Sequence, residues 1–398
     1  MIPVADARTR ILAAMRPTGA ETVSVAQGWG RVLASLVVAR LTQPPADVSA
    51  MDGYAVRAAD RGALRVTGTA PAGHPFAGQV QSGEAVRLFT GSVVPEGADS
   101  VLLQEDADRG GDTVTAREAP RPGAHIRRAG QDFAAGDPLI PAGTRLGARL
   151  VGLAAAANHP WLLVHRRPRV AILATGDEIA LPGDPVMPGG IVSSNAHAIA
   201  ALVQAAGAEA VVLPIARDTA EAIAAAAENL SGVDLLVTTG GASVGDHDLV
   251  QAGLGVQGFE LGFWQIAMRP GKPLLFGNLR GVPVLGLPGN PVSAFVCSMI
   301  FLLPALEVLS GLAGSVQRTE QAVLRHPVRA NDHRADHLRA RLDQDASGIW
   351  HATPFERQDS SMMRVLAEAQ CLVLRPPHAP ALAAGHPVPV LRLDTLWL

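Results

Sequence analysis

The alternation of apolar runs between Pro168 and Leu312 constrains the fold more than any other feature of the chain. Short aliphatic runs are separated by segments whose apolar residues recur at helical spacing. Strands that are buried on both faces of a parallel sheet have this continuous apolar character. We therefore predict a doubly wound α/β domain with a central parallel sheet. The predicted strands are Arg169–Ala174, Ala210–Leu213, Asp234–Thr238 and Val282–Leu287. The predicted helices begin at Asn195, Asp218 and Asn290, and we expect Asn195 and Asp218, the latter with Glu221, to cap theirs.

The regions on either side of this domain have a different pattern. Upstream, short apolar runs alternate with glycine and proline, which is typical of a small β-rich domain. Short helices are predicted at Thr9–Arg16 and Leu150–Ala157, and the tail after Leu312 reads as a β-barrel-like domain. The predicted division is residues 1–44 with 146–167 as an N-terminal linker domain, 45–145 as the β-rich domain, 168–312 as the α/β domain and 313–398 as the C-terminal domain.

Composition excludes several functional classes. A net charge of −3 gives no overall attraction to nucleic acid or to an anionic membrane. Two cysteines, Cys297 and Cys371, cannot build a disulfide framework or a cysteine metal cluster. No signal peptide is recognisable, and the apolar stretch Val292–Leu306 is shorter than the ~20 residues of a membrane span. We expect a cytoplasmic protein in which this stretch is a buried helix.

Three glycine-rich loops follow predicted strands. They begin at Thr175, Gly240 and Leu287. In an open parallel sheet, ligands bind beyond the carboxyl ends of the strands, where glycines let backbone N–H groups approach an anion. The loops therefore predict an oxyanion or phosphate site, with simple turns as the structural alternative. The residues predicted to bind the substrate are Thr175, Gly176, Gly240, Gly241, Ser243, Gly245, Pro288, Gly289 and Asn290.

Charged residues lie in and near the same loops. Neither a Walker A sequence nor a dinucleotide fingerprint occurs, so an ordinary ATPase or nicotinamide enzyme is not indicated. Carboxylates beside phosphates typically hold magnesium, and helix capping is their structural alternative. The carboxylates are Asp177, Glu178, Asp246 and Asp248. Arg269 and Lys272, the only lysine of the chain, add a planar and a compact cation suited to a tetrahedral oxyanion, with a solvated surface pair as the alternative.

These strings together resemble the molybdopterin molybdenumtransferase family, whose eukaryotic relative is the E domain of gephyrin. The resemblance covers nearly the whole chain. It rests on the strings Ser49–Val56, Thr90-Gly91 with Pro95–Asp99, Thr175–Glu178, Gly240–Asp248, Arg269–Pro273 and Leu287–Ser293, in that order. The chain departs from the family's usual residues at Gln265, Thr219, Arg364 and Val365.

The resemblance implies a magnesium-dependent homodimer that inserts molybdate into adenylyl-molybdopterin and releases AMP. It implies contacts with the preceding adenylyltransferase or with molybdoenzyme chaperones. The catalytic residues that it implies are Asp52, Thr90, Glu178, Asp248 and Lys272, with Asp52 and Thr90 reaching across the dimer. It assigns magnesium to Asp177, Glu178 and Asp248. It assigns molybdate to Arg269, Lys272, Ser293, Arg339 and Ser360.

Two other functions remain open at this stage. One is the molybdopterin adenylyltransferase, whose fold resembles the α/β domain but which usually has no β-rich flanking domains. The other is a non-catalytic scaffold or paralogue of the family. A scaffold could lose its acidic residues and cations without penalty, and this chain retains Asp52, Asp177, Glu178, Arg269 and Lys272.

Overall fold

The computed structural model describes residues 1–240, 249–314 and 319–393. Cys297 and Cys371 are buried free thiols, as the composition predicts. In the first 167 residues a helix begins the chain, and a second helix returns it after a β-rich excursion. These helices are α1 (Val4–Ala14) and α2 (Ala148–Ala156). Helix α1 therefore starts and ends earlier than the predicted Thr9–Arg16, whereas the predicted helix at Leu150–Ala157 is confirmed.

The β-rich region is built around a six-stranded sheet of order β7-β4-β6-β5-β9-β8, flanked by two-stranded pairs. Its two faces bury separate aliphatic clusters, which explains the alternating apolar runs of this region. The strands of the first 167 residues are β1 (Ala20–Ser24), β2 (Val37–Val38), β3 (Val48–Ser49), β4 (Gly53–Val56), β5 (Ala63–Ala70), β6 (Glu84–Leu88), β7 (Ser100–Leu103), β8 (Ala107–Gly110), β9 (Thr113–Ala116), β10 (Ile126–Arg127), β11 (Pro138–Ile140) and β12 (Trp161–His165).

The α/β region has the predicted central sheet, in the order β16-β13-β17-β21-β20-β18. The first four strands are parallel, and β20 and β18 add an antiparallel edge that the alternation pattern did not predict. The strands are β13 (Arg169–Ala174), β14 (Ile179–Ala180), β15 (Ile191–Val192), β16 (Glu209–Val212), β17 (Leu235–Thr239), β18 (Phe259–Gln265), β19 (Met268–Arg269), β20 (Pro273–Leu279) and β21 (Val282–Leu287). The helices are α3 (Asn195–Ala205), α4 (Ala220–Ala226), α5 (Leu249–Val256), α6 (Pro291–Cys297) and α7 (Leu303–Leu309).

Helices cover both faces of this sheet. Val170 and Ile172 pack with α1, α3, α6 and α7 on one face, and Ala171 and Leu173 pack with α4 and α5 on the other. A strand buried on both sides needs apolar residues at every position, which is the reason for its continuous apolar run. The doubly wound arrangement is therefore confirmed.

A single apolar helix runs from Pro291 to Leu309, in which α6 and α7 are joined by a π turn at Ser298–Leu302. Pro304 has no N–H to donate to the preceding turn, and the helix widens just before it. The helix is long and apolar enough to cross a membrane, with a mean hydropathy of 2.2, but 78% of it is buried within the protein. The prediction of a buried helix is confirmed.

The C-terminal region closes into a barrel. Its strands are β22 (Glu320–Leu324), β23 (Ala335–Gln344), β24 (Trp350–Pro354), β25 (Cys371–Arg375) and β26 (Pro387–Arg392), with the short helix α8 (Met363–Ala367) before β25. The pairings run β23-β24-β22-β26-β25 and return from β25 to β23, so no edge is left open among these five strands. The prediction of a β-barrel-like C-terminal domain is confirmed.

Candidate functional site

A cavity of about 680 Å³ lies at the carboxyl ends of β13, β17 and β21, where the topology predicts a ligand site. The N-termini of α3 and α6 border it, and helix N-termini favour anions because their N–H groups are unpaired. The barrel supplies part of its wall. The lining residues are Ala174, Glu178, Ile179, Ile191, Val192, Ser193, Ser194, Asn195, Thr239, Gly240, Pro273, Pro288, Gly289, Asn290, Pro291, Ser293, Ser361 and Met363.

The first glycine-rich loop packs directly on the end of β17 and on Gly240, where the second loop begins. The Thr175 N–H donates to the carbonyl of Thr239 at 3.1 Å. Gly240 has φ +93°, and a Cβ there would lie 2.3 Å from the Thr175 carbonyl oxygen, so only glycine fits. The Thr175 hydroxyl is buried and has no hydrogen-bond partner among the residues that the structure describes. The two loops thus hold a polar atom that is available to a ligand.

Asn195 fastens the second and third loops together. Its Nδ2 donates to the Thr239 Oγ1 and to the Gly289 carbonyl, both at 2.8 Å. Ser194, and not Asn195, is the N-cap residue of α3, so the predicted capping role of Asn195 was wrong. The amide fixes the relative position of two strand ends that both border the cavity.

The barrel contacts the third loop. The Asn290 Nδ2 donates to the Ser360 Oγ at 3.0 Å, and the Val292 N–H donates to the Ser360 carbonyl at 3.0 Å. Ser293 lies buried in the first turn of α6 and lines the cavity. The sequence-predicted residues Asn290, Ser293 and Ser360 are therefore brought together at the junction of α6 and the barrel.

An acidic cluster lies on the side of the first loop. The Asp218 N–H donates to the Asp177 Oδ1 at 3.4 Å, and Glu178 lines the cavity. Burial raises the pKa of Asp218, and the nearby Glu178 carboxylate raises it further. The Asp218 Oδ1 is buried and accepts no hydrogen bond from a described residue. Thr219 is the N-cap of α4, so the predicted capping role of Asp218 was wrong and its carboxylate belongs to the cluster instead.

Three cations predicted from the sequence have different environments. Lys272 is half-buried beside the lining residue Pro273 and forms no ion pair with any described residue. Arg339 is 1% exposed, and its Nε and Nη2 have no partner in the described part of the chain. Its Nη1 donates to the carbonyl of Met362 at 3.5 Å. The sequence neighbours of Met362, Ser361 and Met363, both line the cavity. Arg269 is instead held by two carboxylates, Asp332 and Asp336.

Asp52 and Thr90 form a second, separate cluster in the β-rich region. The Thr90 N–H and Oγ1 donate to the Asp52 Oδ1 at 2.7 and 2.9 Å. These hydrogen bonds lower the pKa of the exposed Asp52 carboxyl. The Arg87 guanidinium lies over the rings of Tyr54 and Phe89 beside it. None of these residues lines the cavity, so a single chain does not bring them to the α/β site.

Sequence reasoning missed part of the cavity wall. Ser193, Ser194, Thr239 and Ser361 line it with hydroxyl groups. The Ser193-Ser194-Asn195 run at the start of a helix was the available signal, whereas Thr239 sits inside an apolar strand and gave none. The predicted site residues Gly241, Ser243, Gly245 and Asp248, together with Asp246, lie outside the described residues.

Three family models match successive stretches of the chain. A model of the MoeA N-terminal region (domain I and II) matches residues 2–158. A model described as a probable molybdopterin binding domain matches residues 171–308, and one of the MoeA C-terminal region (domain IV) matches residues 321–393. The fold and the cavity thus define a protein built around a molybdopterin-binding type of α/β domain.

Relatives and solved structures agree. The chain is 37% identical to molybdopterin molybdenumtransferase 2 of Mycobacterium tuberculosis, over 93% of this chain and 94% of the relative. It is 39% identical to the molybdopterin molybdenumtransferase of a Nostoc species, over 71% of this chain and 68% of the relative. A crystal structure of the molybdopterin biosynthesis MoeA protein from Pyrococcus horikosii superposes with a TM-score of 0.85 at 29% identity, covering 98% of this chain and 99% of that one. The chain therefore belongs to the molybdopterin molybdenumtransferase family.

Proposed function

We propose that the chain is a transferase of molybdenum cofactor biosynthesis that inserts molybdate into adenylyl-molybdopterin and releases AMP. The observation that carries the proposal is the cavity itself, where three strand ends, two helix N-termini and the barrel surround a space that serine, threonine and asparagine side chains line in part. The names of the full-length relatives support the same reaction. The proposed setting is the cytoplasm, to which the free, buried cysteines are suited.

We assign molybdate binding to the junction of α6 and the barrel. The unpartnered N–H groups of Arg339 can donate to a tetrahedral oxyanion, and Lys272 can add a compact positive charge. The hydroxyl of Ser293 in the first turn of α6 adds a donor where the helix dipole also favours an anion. These residues would hold molybdate while the dithiolene sulfurs of the pterin approach it.

We assign magnesium binding to the acidic cluster. Its members Asp177, Glu178 and Asp218 offer carboxylate oxygens, the donors that magnesium prefers, and the unpartnered Asp218 Oδ1 fits a metal-bound role. Among residues 1–240, 249–314 and 319–393, no three metal-ligating side chains already converge on one point. Phosphate oxygens of the substrate are therefore proposed to complete the ligand set. Magnesium bound there would neutralise charge on the phosphoanhydride.

We assign the phosphate groups of the substrate to the loops between the molybdate site and the magnesium site. Thr175 offers its buried hydroxyl, and Gly240 and Gly289 allow close approach of the backbone. We further propose that Asp52 and Thr90 of a second subunit complete the site. Their cluster is exposed on the β-rich region and is already ordered by its own hydrogen bonds.

The test is AMP release from adenylyl-molybdopterin by the purified protein, with and without molybdate and magnesium. We expect release to need both, and to fall about hundredfold in Glu178→Ala because a charge-positioning carboxylate is lost. Lys272→Ala should raise the molybdate concentration needed for half-maximal release. Glu228→Ala, which removes an exposed carboxylate outside the cavity, is the matched control.

Other outcomes separate the competing functions. Absence of AMP release by the wild type under every condition would exclude the transferase and favour a scaffold. Incorporation of AMP from ATP into molybdopterin would identify an adenylyltransferase. Release at the same rate with and without molybdate would indicate simple hydrolysis of the adenylylated pterin.

A further inference from the structure

Arg269 belongs to a row of charged residues on three neighbouring strands. Arg269 on β19 is the register partner of Asp336 on β23, and Asp336 is the register partner of Arg375 on β25. The Arg269 Nε is 3.3 Å from the Asp336 Oδ1, and the carboxylate is 8% exposed. A buried carboxylate between two guanidinium groups is a strong electrostatic restraint on both, because little solvent screens it.

A second carboxylate holds the other end of the same guanidinium. The Asp332 Oδ2 lies 2.6 Å from the Arg269 Nη2 and 2.7 Å from the Arg334 Nη2. Two carboxylates thus fix the orientation of the Arg269 guanidinium, and each of them is shared with a second arginine, Arg334 or Arg375. Lys272 and Arg339, in contrast, are not held in an ion pair by any described carboxylate, and Asp359 attracts Arg339 only from a greater distance.

The loop after Arg269 is short and tightly packed. Only two residues separate Arg269 from Lys272, and the Lys272 carbonyl accepts from the Ile266 N–H at 3.0 Å. Gly271 has φ +112°, and a Cβ there would lie 2.4 Å from the Cys297 Sγ, so the loop sits against α6. A restraint on Arg269 is therefore also a restraint on the backbone of Lys272, from which the ammonium extends.

Strand β23 connects this restraint to Arg339, the second cation of the proposed molybdate site. Asp336 and Arg339 are three residues apart on the strand, and the Ala335 N–H donates to the Ala267 carbonyl at 2.9 Å. The same strand thus sets the position of Arg339 directly and that of Lys272 through Arg269.

We infer that Asp332 and Asp336 are positioning residues that clamp Arg269. Arg269 then orients the loop that carries Lys272, and Lys272 and Arg339 contact the anion. The inference rests on the proposed molybdate site. It differs from the sequence-based expectation that Arg269 itself binds molybdate. The two possibilities predict opposite effects when the carboxylates are neutralised.

The experiment measures molybdate dependence of AMP release, and molybdate binding by calorimetry, in full-length Asp336→Asn and Asp332→Asn. A clamp predicts weaker binding, with the molybdate KM raised about three- to tenfold, and an unchanged KM for adenylyl-molybdopterin. Tighter molybdate binding would overturn the inference, because it would mean that Arg269 was released to act as a direct ligand. An unchanged molybdate KM in both variants would overturn it as well.

Controls keep the clamp separate from the proposed function and from folding. Asp343 lies on β23, the strand that carries Asp336. Asp343→Asn removes the ion pair with Arg325 and should leave the molybdate KM as in the wild type. Asp332 is 40% exposed, so Asp332→Asn carries the test if Asp336→Asn does not fold. A wild type without any molybdate dependence would refute the proposed function, whereas a molybdate-dependent wild type with unaltered variants refutes only the clamp.

Discussion

His337 is a buried titratable group beside the clamp, and its burial has a consequence for stability. Burial lowers the pKa of His337 to about 4, whereas an unfolded histidine has a pKa near 6.5. The unfolded chain therefore binds a proton first as the pH falls, and the folded state loses stability from about pH 6.5 down to about pH 4, below which the loss levels off.

This prediction can be measured with His337→Gln. Between pH 7 and pH 4, the free energy of unfolding of the wild type should fall by about 3 kcal/mol more than that of the variant. Denaturant unfolding at each pH gives both curves, and the carboxylates that titrate in the same range cancel in the difference. Parallel curves for the two proteins would contradict a neutral, buried His337.

Individual residues were predictable from sequence where their constraint is local. Gly240 could be identified because a turn after a strand needs a residue without a side chain, and the structure places it against Thr175. The carboxylate partners of Arg269 could not be identified, because Asp332 lies 63 residues away and meets it only through strand pairing. The proximity of Glu178 and Asp218 has the same origin, since two different loops bring them together.

At the scale of elements, the link between α3 and the strand ends should control the shape of the cavity. Asn195→Ala removes two hydrogen bonds, to Thr239 and to Gly289. We expect the free energy of unfolding to fall by about 1–3 kcal/mol. We expect kcat/KM to fall about ten- to hundredfold, because the loops that are proposed to bind the phosphate groups lose their relative position.

Thermal unfolding and AMP release measure the two effects. Asn278→Ala is the matched control, since it removes one hydrogen bond to Gly281 in the hairpin between β20 and β21, outside the cavity wall. It should lower stability slightly and leave kcat/KM unchanged. Equal losses of activity in both variants would mean that the effect of Asn195 is only a general loss of stability.

The type of an element could be predicted from apolar periodicity where the burial of that element alone determines its sequence pattern. Strands β13 and β21 begin and end where the sequence predicts, because burial on both sides requires an uninterrupted apolar run. The antiparallel edge formed by β18 and β20 was not predicted, since apolar periodicity carries no information on strand direction. Barrel closure through the β23–β25 pairing is equally non-local. The division into four domains stays a prediction.

The whole molecule raises the question of where Asp52 and Thr90 act. In one chain they form an ordered, exposed cluster, and none of the cavity-lining residues comes from the β-rich region. A site completed by a second subunit accounts for both facts. Such a site also predicts that two inactive chains can restore each other, because a mixed dimer would combine the intact β-rich region of one with the intact α/β region of the other.

Co-expression of Asp52→Ala and Glu178→Ala chains with different tags tests this arrangement. Random pairing gives mixed dimers in half of the cases, each with one intact site out of two, so activity should recover to about a quarter of the wild-type value. At a molybdate concentration too low for Lys272→Ala alone to be active, a mixture of Glu178→Ala and Lys272→Ala should stay inactive, because both changes fall in the α/β region and every site keeps one of them. Equal activity of the two mixtures would place Asp52 outside a shared site and leave the cavity to a single chain.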